Sequence, residues 1–137
     1  MTHHDPEGIA LFRRAQEMLP LAYAPYSHFQ VGAALLASDG RIFTGCNVEN
    51  AGYSAGICAE RTALVKAISE GAHDFVAIAV AGSQGAPTPC GVCRQMLNEF
   101  APELVVIWGD DNELYSAHLD QLLPLAFGPR NLEEVKL

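Results

Sequence analysis

Segments of helical and of extended periodicity alternate along this chain, and that alternation predicts a layered α/β domain. Two further observations agree with the class. Half of the 137 residues are hydrophobic and 18% are charged, which is enough apolar material for one sizeable core and too little charge for a disordered chain. Glycine and proline punctuate the sequence rather than cluster, with no internal repeat, low-complexity tract or linker, so residues 1–137 are expected to form a single domain.

Each element follows from local pattern. From residue 6 to about residue 19, Ile9, Phe12, Ala15, Met18 and Leu19 recur at helical spacing, and Pro20 favours an end there. Residues 31–37 are a nearly continuous small and apolar run. The turn signal Ser38-Asp39-Gly40 separates it from residues 41–46, and the two runs predict a hairpin. Residues 58–70 read as a helix with Ala59, Ala63, Leu64, Ala67 and Ile68 on one face, capped by Gly71. Residues 75–81 form a short strand of buried type. After a loop over 83–88, Pro89 suits the first turn of a second helix carrying Val92, Met96, Leu97 and Phe100. Residues 104–108 read as a strand, 113–117 as a weaker one, and 119–123 as a short last helix. Trp108 and the methionines are assigned to the core.

Eight Lys and Arg against sixteen Asp and Glu leave a formal net charge of −8. Binding nucleic acid or an anionic membrane needs clustered cations, so neither partner is expected. No apolar run approaches the roughly 20 residues of a spanning helix. The start, Met1-Thr2-His3-His4-Asp5-Pro6, lacks the order of an export signal, and a cytoplasmic protein is expected. Four cysteines, Cys46, Cys58, Cys90 and Cys93, would allow two disulfides in a secreted chain; in a reducing compartment Cys-x-x-Cys more often marks metal or redox chemistry.

Two pieces carry that chemistry: Cys58-Ala59-Glu60 at one helix start and Pro89-Cys90-Gly91-Val92-Cys93 at another. Cys90 and Cys93 are three apart, so on a helical turn both thiols face one way. A thiol from Cys58 on a neighbouring helix start would complete three of zinc's four positions. The fourth then stays open for water, which separates a catalytic zinc from a closed structural one. Helix N-termini favour thiolate over thiol. Glu60 could reach such a water without being a ligand. Alone, Cys-x-x-Cys is shared by structural zinc sites and thiol redox centres, and Cys-x-Glu says less still. Cys46, on a strand, is read as a buried apolar thiol; as a fourth ligand it would close the site. His28, His73 and His118 have no metal-ligand spacing and are read as ordinary polar positions.

At these residues the chain resembles the small cytidine deaminases, and the zinc-deaminase signature with Cys as first ligand describes this pattern. The likeness extends through Tyr23-Ala-Pro-Tyr-Ser-His-Phe-Gln-Val-Gly-Ala-Ala34, Asn47-Val-Glu-Asn50, Cys58-Ala-Glu-Arg-Thr-Ala63, Pro89-Cys-Gly-Val-Cys-Arg-Gln95 and Leu122-Leu-Pro-Leu-Ala-Phe127. Gly52 and Gly56 beside Tyr53 depart from the bulkier residues often seen there.

The resemblance implies a three-layer α/β/α fold with a central mixed sheet. It implies hydrolysis of cytidine and 2′-deoxycytidine to uridine, 2′-deoxyuridine and ammonia in pyrimidine salvage, with Zn2+ on Cys58, Cys90 and Cys93. Zinc acidifies water toward neutrality for attack on C4 of cytosine. Glu60 would carry the protons, first as base and then as acid. Arg61 would offset the surplus thiolate charge by hydrogen bonding to sulfur; otherwise it is a surface arginine. Phe29 would stack on the base, Asn47 and Glu49 would hold the ribose 3′-hydroxyl, and the Ala59 N–H would bind the pyrimidine carbonyl. Tyr53 and Phe127 would reach a neighbouring subunit's site in a homotetramer. Without the resemblance, Phe29 is a core aromatic, Asn47 and Glu49 are turn and surface polars, Tyr53 is a loop tyrosine and Phe127 a tail anchor. The rival readings are a deaminase of another small cytosine compound such as blasticidin S, a nucleic-acid editing deaminase, and an inactive structural-zinc module closed by Cys46.

Overall fold

A computed structural model of the chain describes residues 5–135. In chain order the elements are α1 (Pro6–Gln16), β1 (Val31–Ala37), β2 (Ile42–Cys46), α2 (Ala59–Ser69), β3 (Phe75–Gly82), α3 (Gly91–Phe100), β4 (Val105–Gly109), β5 (Leu114–His118), α4 (Leu119–Leu122) and α5 (Pro129–Val135). Single 3₁₀ turns lie at Leu19–Leu21 and Tyr53–Ala55. The strands form one sheet in the order β2-β1-β3-β4-β5, antiparallel throughout except for the parallel pair β3–β4. That pair needs a crossover, and α3 supplies it.

Alternation along the strands builds two cores. Ala33, Leu35, Ile78 and Val106 face Ala59, Ala63, Leu64 and Ala67 of α2 and Leu97 of α3. Ala34, Ala77, Ala79 and Ile107 face Leu11, Phe12 and Ala15 of α1 on the opposite side. The result is the expected three-layer α/β/α arrangement around a mixed sheet. The small residues bring the helices close. A Cβ on Gly45 of β2 would stand 2.5 Å from both the Ala59 carbonyl oxygen and the Ala63 nitrogen of α2, so only glycine admits this approach. Gly71, with φ of 90°, takes the left-handed turn that ends α2.

The structure moves some boundaries. α1 stops at Gln16, and Pro20 sits inside a 3₁₀ turn instead of directly after a helix. Pro89 lies before the N-cap residue Cys90, not in the first helical turn. Val92 is 62% exposed and belongs to the outer face of α3, because Cys93 and Leu97 already occupy its inner face. Trp108 and Met96 pack against the α2–α3 core and are only partly buried. No helix among the described residues is long and apolar enough to cross a membrane.

Candidate active site

Two chain segments deliver the cysteines to one place. After β2, Val48 and Ile57 exchange backbone hydrogen bonds at 3.0 and 2.9 Å, and this bridge turns Cys58 to the residue before α2. The loop after β3 brings Cys90 to the residue before α3, with Cys93 in the first turn. The three Sγ atoms all lie within 4.8 Å of one another. Cys58–Cys90 measures 3.8 Å and Cys90–Cys93 measures 3.4 Å. Tetrahedral zinc with Zn–S bonds of about 2.3 Å requires sulfurs roughly 3.8 Å apart. The donor set fits zinc. Cys46 is not in the cluster; it is half-buried rather than buried, and its thiol meets the Leu21 carbonyl at 3.5 Å.

Charge is arranged around the thiols. Cys58 is lowered to about 5, chiefly by the hydrogen bond from the Cys93 thiol, with Arg61 and Cys90 adding to it against burial. The same contact, together with burial, pushes Cys93 up. Cys58 is the more readily ionised of the two, at a helix N-terminus that favours an anion. Glu60, 4% exposed in the first turn of α2, is raised to about 7. Burial is the largest cause and the Cys58 charge adds to it, while its own backbone N–H, Cys93 and Arg61 oppose. Arg61 donates from Nη2 to Cys58 Sγ at 3.7 Å, and its Nε is buried without an acceptor among the described residues. It is a guanidinium turned onto sulfur, not a solvated surface side chain.

Of the three cysteines, Cys58 lines a cleft of about 480 Å³ whose walls also include Asn47, Glu49, Tyr53 and Arg61. The Glu49 carboxylate accepts from the backbone N–H groups of Tyr26 and Ser27 at 2.9 and 3.1 Å and from the Ser27 hydroxyl. These donors, the hydroxyl first, hold its carboxyl below the usual range. Asn47 accepts from the Val31 N–H and donates to the Phe29 carbonyl, both at 2.8 Å. It therefore braces the entry to β1. Phe29 is half-buried, its ring tip 3.1 Å from where a Gly82 Cβ would stand. Ala59 is the first residue of α2, and its N–H is one that a helix leaves without an internal acceptor. Tyr53 is 84% exposed at the cleft mouth, whereas Phe127, 58% exposed, is not on the wall of this cleft.

Residues 7–108 match the family described as the cytidine and deoxycytidylate deaminase zinc-binding region. A cytidine deaminase from Sporosarcina psychrophila is 47% identical over 130 residues, covering 90% of this chain and 91% of that protein. The chain belongs to the cytidine deaminase family. Solved cytidine deaminases share its shape. That of Burkholderia pseudomallei superposes with a TM-score of 0.83 at 46% identity, covering 93% of this chain and all of that one. The Mycobacterium tuberculosis enzyme gives 0.81 at 39% identity, covering 90% and 99% of the two chains. Zinc as the family's metal accords with the three-thiol cluster. Tyr26 and Ser27, which hold Glu49 in place, escaped the sequence reading although both lie inside the first family motif. Their partner is over 20 residues away, and no local pattern marks that contact.

Proposed function

We propose that this chain is one catalytic domain, residues 1–137, that hydrolyses cytidine and 2′-deoxycytidine to uridine, 2′-deoxyuridine and ammonia. The observation that carries the reading is the meeting of three thiols at zinc spacing with a buried carboxyl raised to about 7. Cys58, Cys90 and Cys93 hold the zinc, which when bound supplies the Lewis-acid charge that acidifies water near neutral pH. Glu60 takes the proton of the attacking water and places it on N3 of the ring. It then carries the proton of the new C4 hydroxyl to the amine, which leaves as ammonia as the C4 carbonyl forms. A carboxyl whose proton affinity is raised by burial can both accept and return a proton.

Arg61 offsets the one net negative charge of three thiolates on a divalent ion. The Ala59 N–H binds the pyrimidine carbonyl, and Phe29 stacks on the base. Asn47 keeps a second Nδ2 hydrogen, and Glu49 further lone pairs, for the ribose 3′-hydroxyl. Tyr53 and Phe127, large and exposed, support a homotetramer in which each reaches a neighbour's cleft. The formal net charge of −8 supports work on free nucleosides, and the use of Cys90-x-x-Cys93 for metal supports a reducing, cytoplasmic setting.

The experiment is loss of cytosine absorbance with ammonia release by purified, zinc-assayed protein. Cytidine and deoxycytidine should both react, since the proposed sugar contacts hold the 3′-hydroxyl. CMP and single-stranded DNA should react poorly beside Glu49. Efficient turnover of an oligonucleotide, or none of any nucleoside by zinc-loaded protein, contradicts the reading.

A further inference from the structure

Arg94 follows Cys93 in α3 and spends its whole guanidinium on neutral oxygens. Nε donates to the Pro89 carbonyl at 2.7 Å, Nη2 to the Thr88 hydroxyl at 3.2 Å and Nη1 to the Leu122 carbonyl at 2.8 Å. The first two acceptors lie on the turn that leads into Cys90. The third is the last residue of α4, and the chain beyond it runs to Phe127. The Leu122 carbonyl sits at the C-terminal end of α4, where helical pairing stops and an outside donor is needed, and the Pro89 carbonyl lies in the loop that enters α3. One turn further along the same side of α3, the buried Asn98 donates to the Phe127 carbonyl at 3.3 Å, and Gln95 donates to it at 2.8 Å. The helix that presents two of the thiols therefore also grips the segment that presents Phe127.

We infer that Arg94 is a positioning residue that couples the Cys90–Cys93 turn to the C-terminal segment carrying Phe127. The planar fork is what does this. Three donors in fixed directions hold two separate pieces of backbone at once, and a lysine ammonium, a single charge on a flexible stem, cannot keep both. The consequence for zinc rests on the proposed ligand roles of Cys90 and Cys93; the coupling itself does not.

The test is Arg94→Lys, which keeps the charge and removes the fork, compared with the unaltered zinc-loaded protein. Zinc loss to a chelator should accelerate about 10–100-fold at a temperature where the variant is fully folded. Exchange of the Leu123 and Gly128 amides, which donate to the Leu119 carbonyl and to Asn131 Oδ1, should rise about tenfold. Amides of β1 and β3 should keep their rates. A merely structural arginine would move all of these together, or none below the melting range. Unchanged exchange at Leu123 and Gly128 overturns the coupling, as does full rescue by lysine. Should the unaltered protein hold no zinc, the ligand reading fails while the exchange measurement still decides the coupling. Should Arg94→Lys not fold, chelator is added to the unaltered protein instead. Loss of protection at the Arg94 amide, which donates to the Cys90 carbonyl at 2.9 Å, should then be accompanied by loss at Leu123 and Gly128, and independence of the two sites overturns the inference.

Discussion

Glu49 is held at the cleft by partners distant in sequence, Tyr26 and Ser27, whereas Arg61 meets Cys58 only three residues back. The carboxyl of Glu49 is lowered from its ordinary value of 4.5 by Ser27 and Tyr26. A lowered carboxyl stabilises the fold at pH values above 4.5, and that stabilisation is lost as pH falls through the lower folded value. Protection of the Tyr26 and Ser27 amides should therefore be constant above pH 4.5 and decline below it, and Glu49→Gln should abolish the dependence. Protection that ignores both changes would show that Glu49 does not order this loop. Arg61 was legible as a partner for sulfur only through the family motif, because helical spacing alone leaves it on a surface. With its Nη2 at 3.7 Å from Cys58, Arg61→Gln should retain zinc, lower turnover about 10–100-fold and move the activity profile to higher pH. Wild-type turnover and profile would return Arg61 to the surface reading. The bracing role of Asn47 was hidden for a different reason: its partners, Phe29 and Val31, lie across the sheet in the neighbouring strand and its entry.

Elements were the most legible scale, because a period of two or of 3.6 extends over a whole strand or helix. The apolar face of α2 follows from its period, and the continuous apolar runs of β1 and β3 mark strands covered on both faces. The 3₁₀ turns at Leu19–Leu21 and Tyr53–Ala55, and helix α5, are too short or too polar to carry a period. Val92 misled because periodicity names an apolar residue without saying which face the sheet covers. Packing between elements was not visible at all, and Gly45 is the sharpest instance. Gly45→Ala would force a Cβ to within 2.5 Å of the α2 backbone. Displacing α2 also displaces Cys58 at its start. Urea unfolding should show about 1–3 kcal/mol lost, with weakened zinc retention. An unchanged midpoint would mean that α2 is not seated by this contact.

On the scale of the whole molecule, Leu21, Tyr23, Tyr26, Tyr53, Leu125 and Phe127 are large and exposed, and a partner subunit could cover them. Sedimentation should find an oligomer at assay concentration, and Phe127→Ala should lower activity more than zinc content. A fully active monomer would contradict shared sites. Two helix starts brought together place three thiols at zinc spacing, with the buried carboxyl of Glu60 in the first turn of α2. The most direct measurement is cytidine turnover by Glu60→Ala at verified zinc occupancy. Glu60 is proposed as a proton carrier and not as a ligand, so zinc should stay near one per chain while turnover falls by about 10²–10⁴-fold or more. Near-normal turnover in the zinc-loaded variant would contradict the account.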